Sequence, residues 1–195
     1  MSRQTTLLTS HKGVDLHAAT ALRVMRERLD GGEALEGLYR CEMHTFITDE
    51  SGLTMEQLLA AGRYYNPNKH HFGHFEGPLV PELFAPERAR FRALPAEWPG
   101  RVQDTDLELP AEELYDVLLG GLAPRDCCAV DVAAFSLGQN GPLVSGVLWR
   151  LMLHTDPNTA ADLGDRLAVT RGRKQGLLIN PHMEAWLTAV RQEIR

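Results

Sequence analysis

Between Leu38 and Thr48 the side chains alternate between two kinds, which is the clearest pattern in the chain. One set is mostly apolar (Tyr39, Cys41, Met43, Thr45, Ile47), and the other mixes apolar and polar groups (Leu38, Arg40, Glu42, His44, Phe46). Because successive side chains of a strand point to opposite faces, this period of two predicts a β-strand. The first set is expected to face the core.

Helical spacing with complete start signals marks two other segments. Asp15 precedes an apolar stripe that ends at Leu29, and Thr54 stands three residues before Gln57, the arrangement of a capping box. These signals predict helices over 15–29 and 54–62.

Several apolar runs are too short for their period to separate helix from strand. Residues 127–137 fit either a buried strand or a helix capped by Asp126, and the helix is favoured. Helices are also predicted over 86–93, 110–120 and 142–153, after Asp156-Pro157, and from Pro181 to the end of the chain. Residues 166–170 and 176–180 are predicted to be short strands around a turn.

Taken together, these elements predict one globular domain over residues 1–195, with 1–13 disordered. The fold class expected is α+β, predominantly helical, with about six helices and a small sheet of three or so short strands. Apolar residues make up 44% of the chain and charged residues 24%, which is ordinary for a packed domain.

The net charge and the cysteines restrict the partners and the compartment. A formal charge of −6 repels nucleic acid and anionic membrane, so a polyanion would need a local basic patch. Cys41, Cys127 and Cys128 are an odd set without a disulfide framework. Neither a secretory signal nor an apolar run of about 20 residues is visible. We therefore expect a cytoplasmic protein without membrane contact.

The segment Arg63–Phe75 combines cations, histidines and aromatic rings without any acid. Cations neutralise phosphate and ring faces stack on bases, so this composition suits a phosphorylated ligand. The competing interpretation is a wet surface loop whose aromatic rings anchor it in the core. The candidate ligand-binding residues here are Arg63, Tyr64, Tyr65, Asn66, Lys69, Phe72 and Phe75.

A second basic stretch runs from Arg166 to Lys174, and it also contains no acidic residue. If it folds beside the first, Arg171, Arg173 and Lys174 complete one positive surface. The competing interpretation is a solvated turn.

The three histidines of the first segment allow a metal site instead. His70, His71 and His74 are candidate ligands of a transition metal, with Glu42, His44 or Glu76 completing the set. No established zinc spacing, Walker A loop, GxGxxG pattern or GxSxG elbow is present.

These observations favour a binding or regulatory module, rather than an enzyme, that recognises a phosphorylated ligand such as a nucleotide or a short single strand of nucleic acid. One alternative is an accessory or scaffold protein that meets a protein partner through the acidic helix at 110–120 and the apolar terminal helix. Such a protein could also form a homo-oligomer by pairing the acidic block at 102–116 with the basic segments 63–75 and 166–174. A second alternative is a metal-dependent or histidine-based enzyme. No cofactor is required by the first interpretation.

Overall fold

The computed structural model describes residues 3–48, 53–76, 102–104, 107–109, 118–120, 124, 126–137 and 141–190. Within these ranges the helices are α1 (Leu16–Arg28), α2 (Met55–Ala60) and α3 (Pro157–Ala168). The strands are β1 (Arg3–His11), β2 (Leu35–Thr48), β3 (His70–Glu76), β4 (Val102–Asp104), β5 (Leu107–Leu109), β6 (Cys128–Leu137), β7 (Val144–Leu153) and β8 (Ala185–Val190).

Six of the strands form one antiparallel sheet in the order β3-β1-β2-β7-β6-β8, and β4 pairs with β5 separately. The long strand β2 is central. It pairs with β7 from Leu35 to Thr45, but β1 pairs with it only from Glu42 to Thr48. The first half of β2 therefore extends beyond the end of β1.

The expectation of a predominantly helical fold is wrong. The described residues contain more strand than helix, with three helices beside one six-stranded antiparallel sheet. Residues 127–137 and 142–153 and the segment after Pro181 contain β6, β7 and β8 in place of the predicted helices. A strand that is buried on both faces carries apolar groups at every position, so it loses the alternation that identified β2.

Two smaller predictions also fail. Residues 1–13, expected to be disordered, contain β1, whose residues from Thr5 to Ser10 are buried. The strands expected at 166–170 and 176–180 are reduced to single bridges, one between Val169 and Ile179 and one across a tight turn. The predicted helix at 86–93 lies outside the described residues, and so does all of 110–120 except Leu118 to Gly120.

The predictions with the most complete local signals are confirmed. The Asp15 carboxylate accepts hydrogen bonds from the backbone N–H groups of His17 and Ala18 and so caps α1. Thr54 and Gln57 form the reciprocal capping box of α2. The helix expected after Asp156-Pro157 is α3, and the strand expected at 38–48 is the main part of β2.

The helices cover one face of the sheet, called here the helix face, in two separate apolar clusters. The larger cluster packs α1 and α3 on the middle of the sheet and includes Met25, Leu151 and Leu163. The smaller cluster packs α2 and Tyr65 on the β3 side and includes Phe46 and Phe72. The helix face between the two clusters is left for polar side chains.

The opposite face of the sheet is also buried and contains an ion pair. Arg150 donates to both carboxylate oxygens of Asp131, from Nε at 2.7 Å and from a terminal nitrogen at 3.0 Å. The two residues face each other across β6 and β7 and are 0% and 3% exposed. Nearby, the buried Cys41 thiol donates to the carbonyl oxygen of Leu118.

Candidate ligand-binding strip on the helix face

A strip of polar side chains crosses the helix face between the two apolar clusters. Strand pairing places these residues side by side because their strands are neighbours and the residues lie on the same face. We define the polar strip as His11, Arg40, Glu42, His44, His70 and Ser145, with Arg63, Tyr64 and Lys69 along its border.

Arg40 is held in place from two sides. Its Nε donates to the Asp15 carboxylate at 2.6 Å, and a terminal nitrogen donates to Glu42 at 3.3 Å. Its guanidinium also lies 6.0 Å from the ring centre of Trp149. Burial pushes the pKa of Asp15 upward, but hydrogen bonds from Arg40 and the helix backbone outweigh it and lower the pKa below its ordinary value. The strip is thereby fixed to the first turn of α1.

His44 and Ser145 face each other across β2 and β7, and His44 Nδ1 lies 3.0 Å from the Ser145 hydroxyl oxygen. Burial lowers the pKa of His44, and the Arg63 charge lowers it further against the opposing effect of Glu42. The Tyr64 ring packs 4.8 Å from the His44 ring, and the Arg63 guanidinium lies 5.2 Å from the centre of Tyr64. This end of the strip carries a neutral imidazole at neutral pH.

His70 and His11 form the other end of the strip, with their rings 5.0 Å apart in an edge-to-face arrangement. The backbone N–H of Asn66 donates to His70 Nδ1 at 3.3 Å, which places the proton of the neutral ring on Nε2. Burial, the neighbouring His11 and Lys69 lower the pKa of His70, and Glu42 opposes them.

The strip and its border differ in charge from the whole chain. Arg40, Arg63 and Lys69 are permanent cations, and Asp15 and Glu42 are the nearby carboxylates, whereas the whole chain carries −6. Burial lowers the pKa of His44 and of His70, so the positive charge of this surface comes from the two arginines and the lysine. The surface is therefore locally able to attract an anion.

A cleft of about 410 Å³ opens at the His11 end of the strip. It lies between the start of α1 and the half of β2 that extends beyond β1, and its lining includes Asp15, Glu36, Leu38 and Arg40. Neither this cleft nor the contact between His44 and Ser145 was foreseen. Ser145 lies 101 residues from His44, and no local spacing signals such a contact.

The structure divides the predicted residues of the first segment. Arg63, Tyr64 and Lys69 border the strip. Asn66 forms a turn in which its side chain accepts from the backbone N–H of Asn68 and its carbonyl accepts from His70. Tyr65 and Phe72 are buried against each other, so their rings are not exposed for stacking, and the Phe75 side chain lies outside the described residues.

The second basic stretch does not join the first. Arg171 pairs with Asp165 at 2.6 Å and lies 5.8 Å from the ring centre of Trp186, in the edge strand β8. Lys174 lies 3.9 Å from Asp30, and Arg173 is exposed. The second basic stretch therefore lies beside α3, β8 and the end of α1, whereas the first borders the polar strip.

The three candidate metal ligands are also separated. In β3, His70 and His74 lie on the helix face and His71 on the opposite face. Four residues of strand put His70 and His74 about 13 Å apart. Across the part of the chain that the structure describes, no three His, Cys, Asp or Glu side chains are grouped closely enough to hold a metal ion.

Comparisons with family models, with curated proteins and with solved structures give no match to this chain. Of the helices in the described ranges, none has the length and apolar character needed to cross a membrane.

Proposed function

We propose that the polar strip and the adjoining cleft bind a small phosphorylated ligand, and that the protein is a binding or regulatory module for a mononucleotide. The observation that carries this proposal is the gathering of cations and imidazoles around Glu42 in a protein of net charge −6. A phosphate would contact His11, Lys69 and His70, where the groups are exposed or half-buried.

The cleft supports a nucleotide over a bare phosphate. Its volume of about 410 Å³ falls within the usual range for small-molecule sites, about 300–1,000 Å³. Asp15 in its lining can accept a hydrogen bond from a sugar hydroxyl, and Leu38 and Leu22 offer apolar surface. A polymer is less favoured, because the negative charge of the whole chain would repel the flanking phosphates.

Calorimetric titration with adenosine monophosphate, inorganic phosphate and adenosine tests the proposal. We expect the nucleotide to bind more tightly than phosphate or adenosine, and its affinity to fall as salt rises. Lys69→Gln and His70→Gln should each weaken binding by about tenfold, the loss expected for a charged hydrogen bond.

Arg173→Gln and Lys174→Gln provide matched controls, because they remove similar charges from the second basic stretch, which is part of neither the polar strip nor the cleft lining. Their affinity should equal that of the wild type. Equal weakening by the control variants, or no binding of either phosphate-containing probe at low salt, would refute the proposal. Tighter binding of a single-stranded oligonucleotide than of the mononucleotide would favour a nucleic-acid ligand.

We also propose a reducing location such as the cytoplasm. Cys41, Cys127 and Cys128 are all free thiols, and Cys127 and Cys128 are both partly exposed. Free thiols persist in reducing compartments.

A further inference from the structure

Cys127, His154 and Glu36 meet at one end of the sheet, where Glu36 also lines the cleft beside the polar strip. Cys127 precedes β6, His154 follows β7, and Glu36 is the second residue of β2. They come together because Leu153 pairs with Cys128 on one side and with Leu35 on the other. The position of His154 is fixed by its backbone N–H, which donates to the carbonyl of Ala34 at 2.8 Å.

The three side chains have the order of a nucleophile, a base and an orienting carboxylate. Cys127 Sγ lies 3.4 Å from His154 Nδ1 and 3.7 Å from Nε2. Glu36 Oε2 lies 3.6 Å from His154 Nε2. Cys127 is half-buried, and the side chains of His154 and Glu36 are each 51% exposed, so a substrate has access to all three.

The backbone before Cys127 and the neighbouring thiol add to this arrangement. Asp126 has a φ of 70°, an unusual conformation for a residue other than glycine. Its carbonyl oxygen lies 3.3 Å from His154 Nδ1 and can accept a hydrogen bond from that nitrogen once it has taken the thiol proton. The adjacent Cys128 thiol donates instead to the carbonyl of Thr155 at 3.2 Å. Of the two adjacent cysteines, only Cys127 faces the imidazole.

We propose that Cys127, His154 and Glu36 form a nucleophilic site that transfers the acyl group of an ester to water. Cys127 Sγ attacks the carbonyl carbon while its proton passes to His154, and the imidazolium gives that proton to the leaving alkoxide as the C–O bond breaks. Water then attacks the acyl-cysteine carbonyl, giving a proton to His154, which returns it to Sγ as the C–S bond breaks. The products are an alcohol and a carboxylic acid, with no net change in oxidation state.

The charges around Cys127 determine how the thiol would be activated. Burial raises its pKa, and the Glu36 and Asp126 carboxylates raise it further. The resting sulfur is therefore a neutral thiol, and His154 acts as a general base during the attack. Glu36 is a positioning residue, because its carboxylate lies beside His154 Nε2 and orients the ring.

Incubation of the full chain with 4-nitrophenyl acetate tests this site, with nitrophenol release followed by absorbance and the acetyl group located by mass spectrometry. In the wild type we expect acetylation of Cys127 in preference to Cys128. His154→Gln should slow acetylation by about 100-fold, the lower range of a general-base contribution. Glu36→Gln should slow it less and shift its pH profile, whereas Cys128→Ser should leave the rate unchanged.

Equal acetylation of Cys127 and Cys128 in the wild type would overturn the proposal, and this comparison needs no variant to fold. An unchanged rate in His154→Gln would do the same. A Glu36→Gln protein with the wild-type rate and pH profile would contradict the three-residue site. Because the readout is chemical, these results are independent of whether the polar strip binds a nucleotide.

Discussion

Neutralising Asp131 should destabilise the protein strongly, because its partner is a buried guanidinium. Asp131→Asn keeps the size of the side chain but removes the carboxylate charge that pairs with Arg150, which is 0% exposed. Breaking a buried ion pair in this way costs about 3–5 kcal/mol. That is a large share of the roughly 5–15 kcal/mol by which a domain is stable.

Urea unfolding followed by tryptophan fluorescence and circular dichroism measures this cost. With a denaturant dependence of about 2 kcal/mol per molar urea, the midpoint should fall by about 2 M. Asp30→Asn is the matched control, because Asp30 and Lys174 form an exposed pair 3.9 Å apart, and it should change the free energy of unfolding by less than about 1 kcal/mol.

A double variant separates the loss of the pair from the loss of packing. Asp131→Leu with Arg150→Met replaces both charges by apolar groups and should be more stable than Asp131→Asn, because no uncompensated charge remains buried. A loss below about 1 kcal/mol in Asp131→Asn would refute the reasoning, since it would mean that the Asp131 charge contributes little to holding Arg150 in its buried position.

Two further tests concern Gly146 and His44. A Cβ at Gly146 would lie 2.1 Å from the carbonyl oxygen of Ala134, so Gly146→Ala should lose about 3 kcal/mol or more in urea unfolding, whereas Gly13→Ala, with no atom within 4 Å, should change little. Because burial lowers the pKa of His44, the unfolded chain binds that proton more readily. The free energy of unfolding should therefore fall as pH drops below about 6.5 and level off below the pKa of His44 in the folded protein. His44→Gln should make the free energy of unfolding depend less on pH in this range. An unchanged slope would contradict this attribution.

Local signals predicted the ends of elements better than the class of the fold. The caps at Asp15 and Thr54 act over three residues, so the sequence alone reveals them. Whether residues 144–153 form a helix or a strand depends on what covers each face of the segment. In β7, Val147 and Leu151 lie four residues apart on the helix face, and the same spacing indicates a helix in an isolated sequence.

The candidate sites were harder to predict than the fold, because they depend on contacts between residues that are far apart in the sequence. The composition of the first basic segment allowed two interpretations, in which its aromatic rings either stack on a ligand or anchor the segment in the core. The rings of Tyr65 and Phe72 lie in the core, as the second interpretation expected. Helical spacing had grouped the three histidines of β3, but successive side chains of a strand point to opposite faces. The histidines are therefore separated. The group around Cys127 joins residues from three distant parts of the chain, and only the register of the strands brings them together.

The two separate apolar clusters on the helix face have a consequence for cooperativity. The smaller one rests on a helix of six residues and a few large side chains, so it should open locally at a lower free energy than the rest of the molecule. A ligand lodged between the clusters would touch both and oppose that opening. Ligand binding would then slow amide hydrogen exchange in α2, at a distance from the bound phosphate.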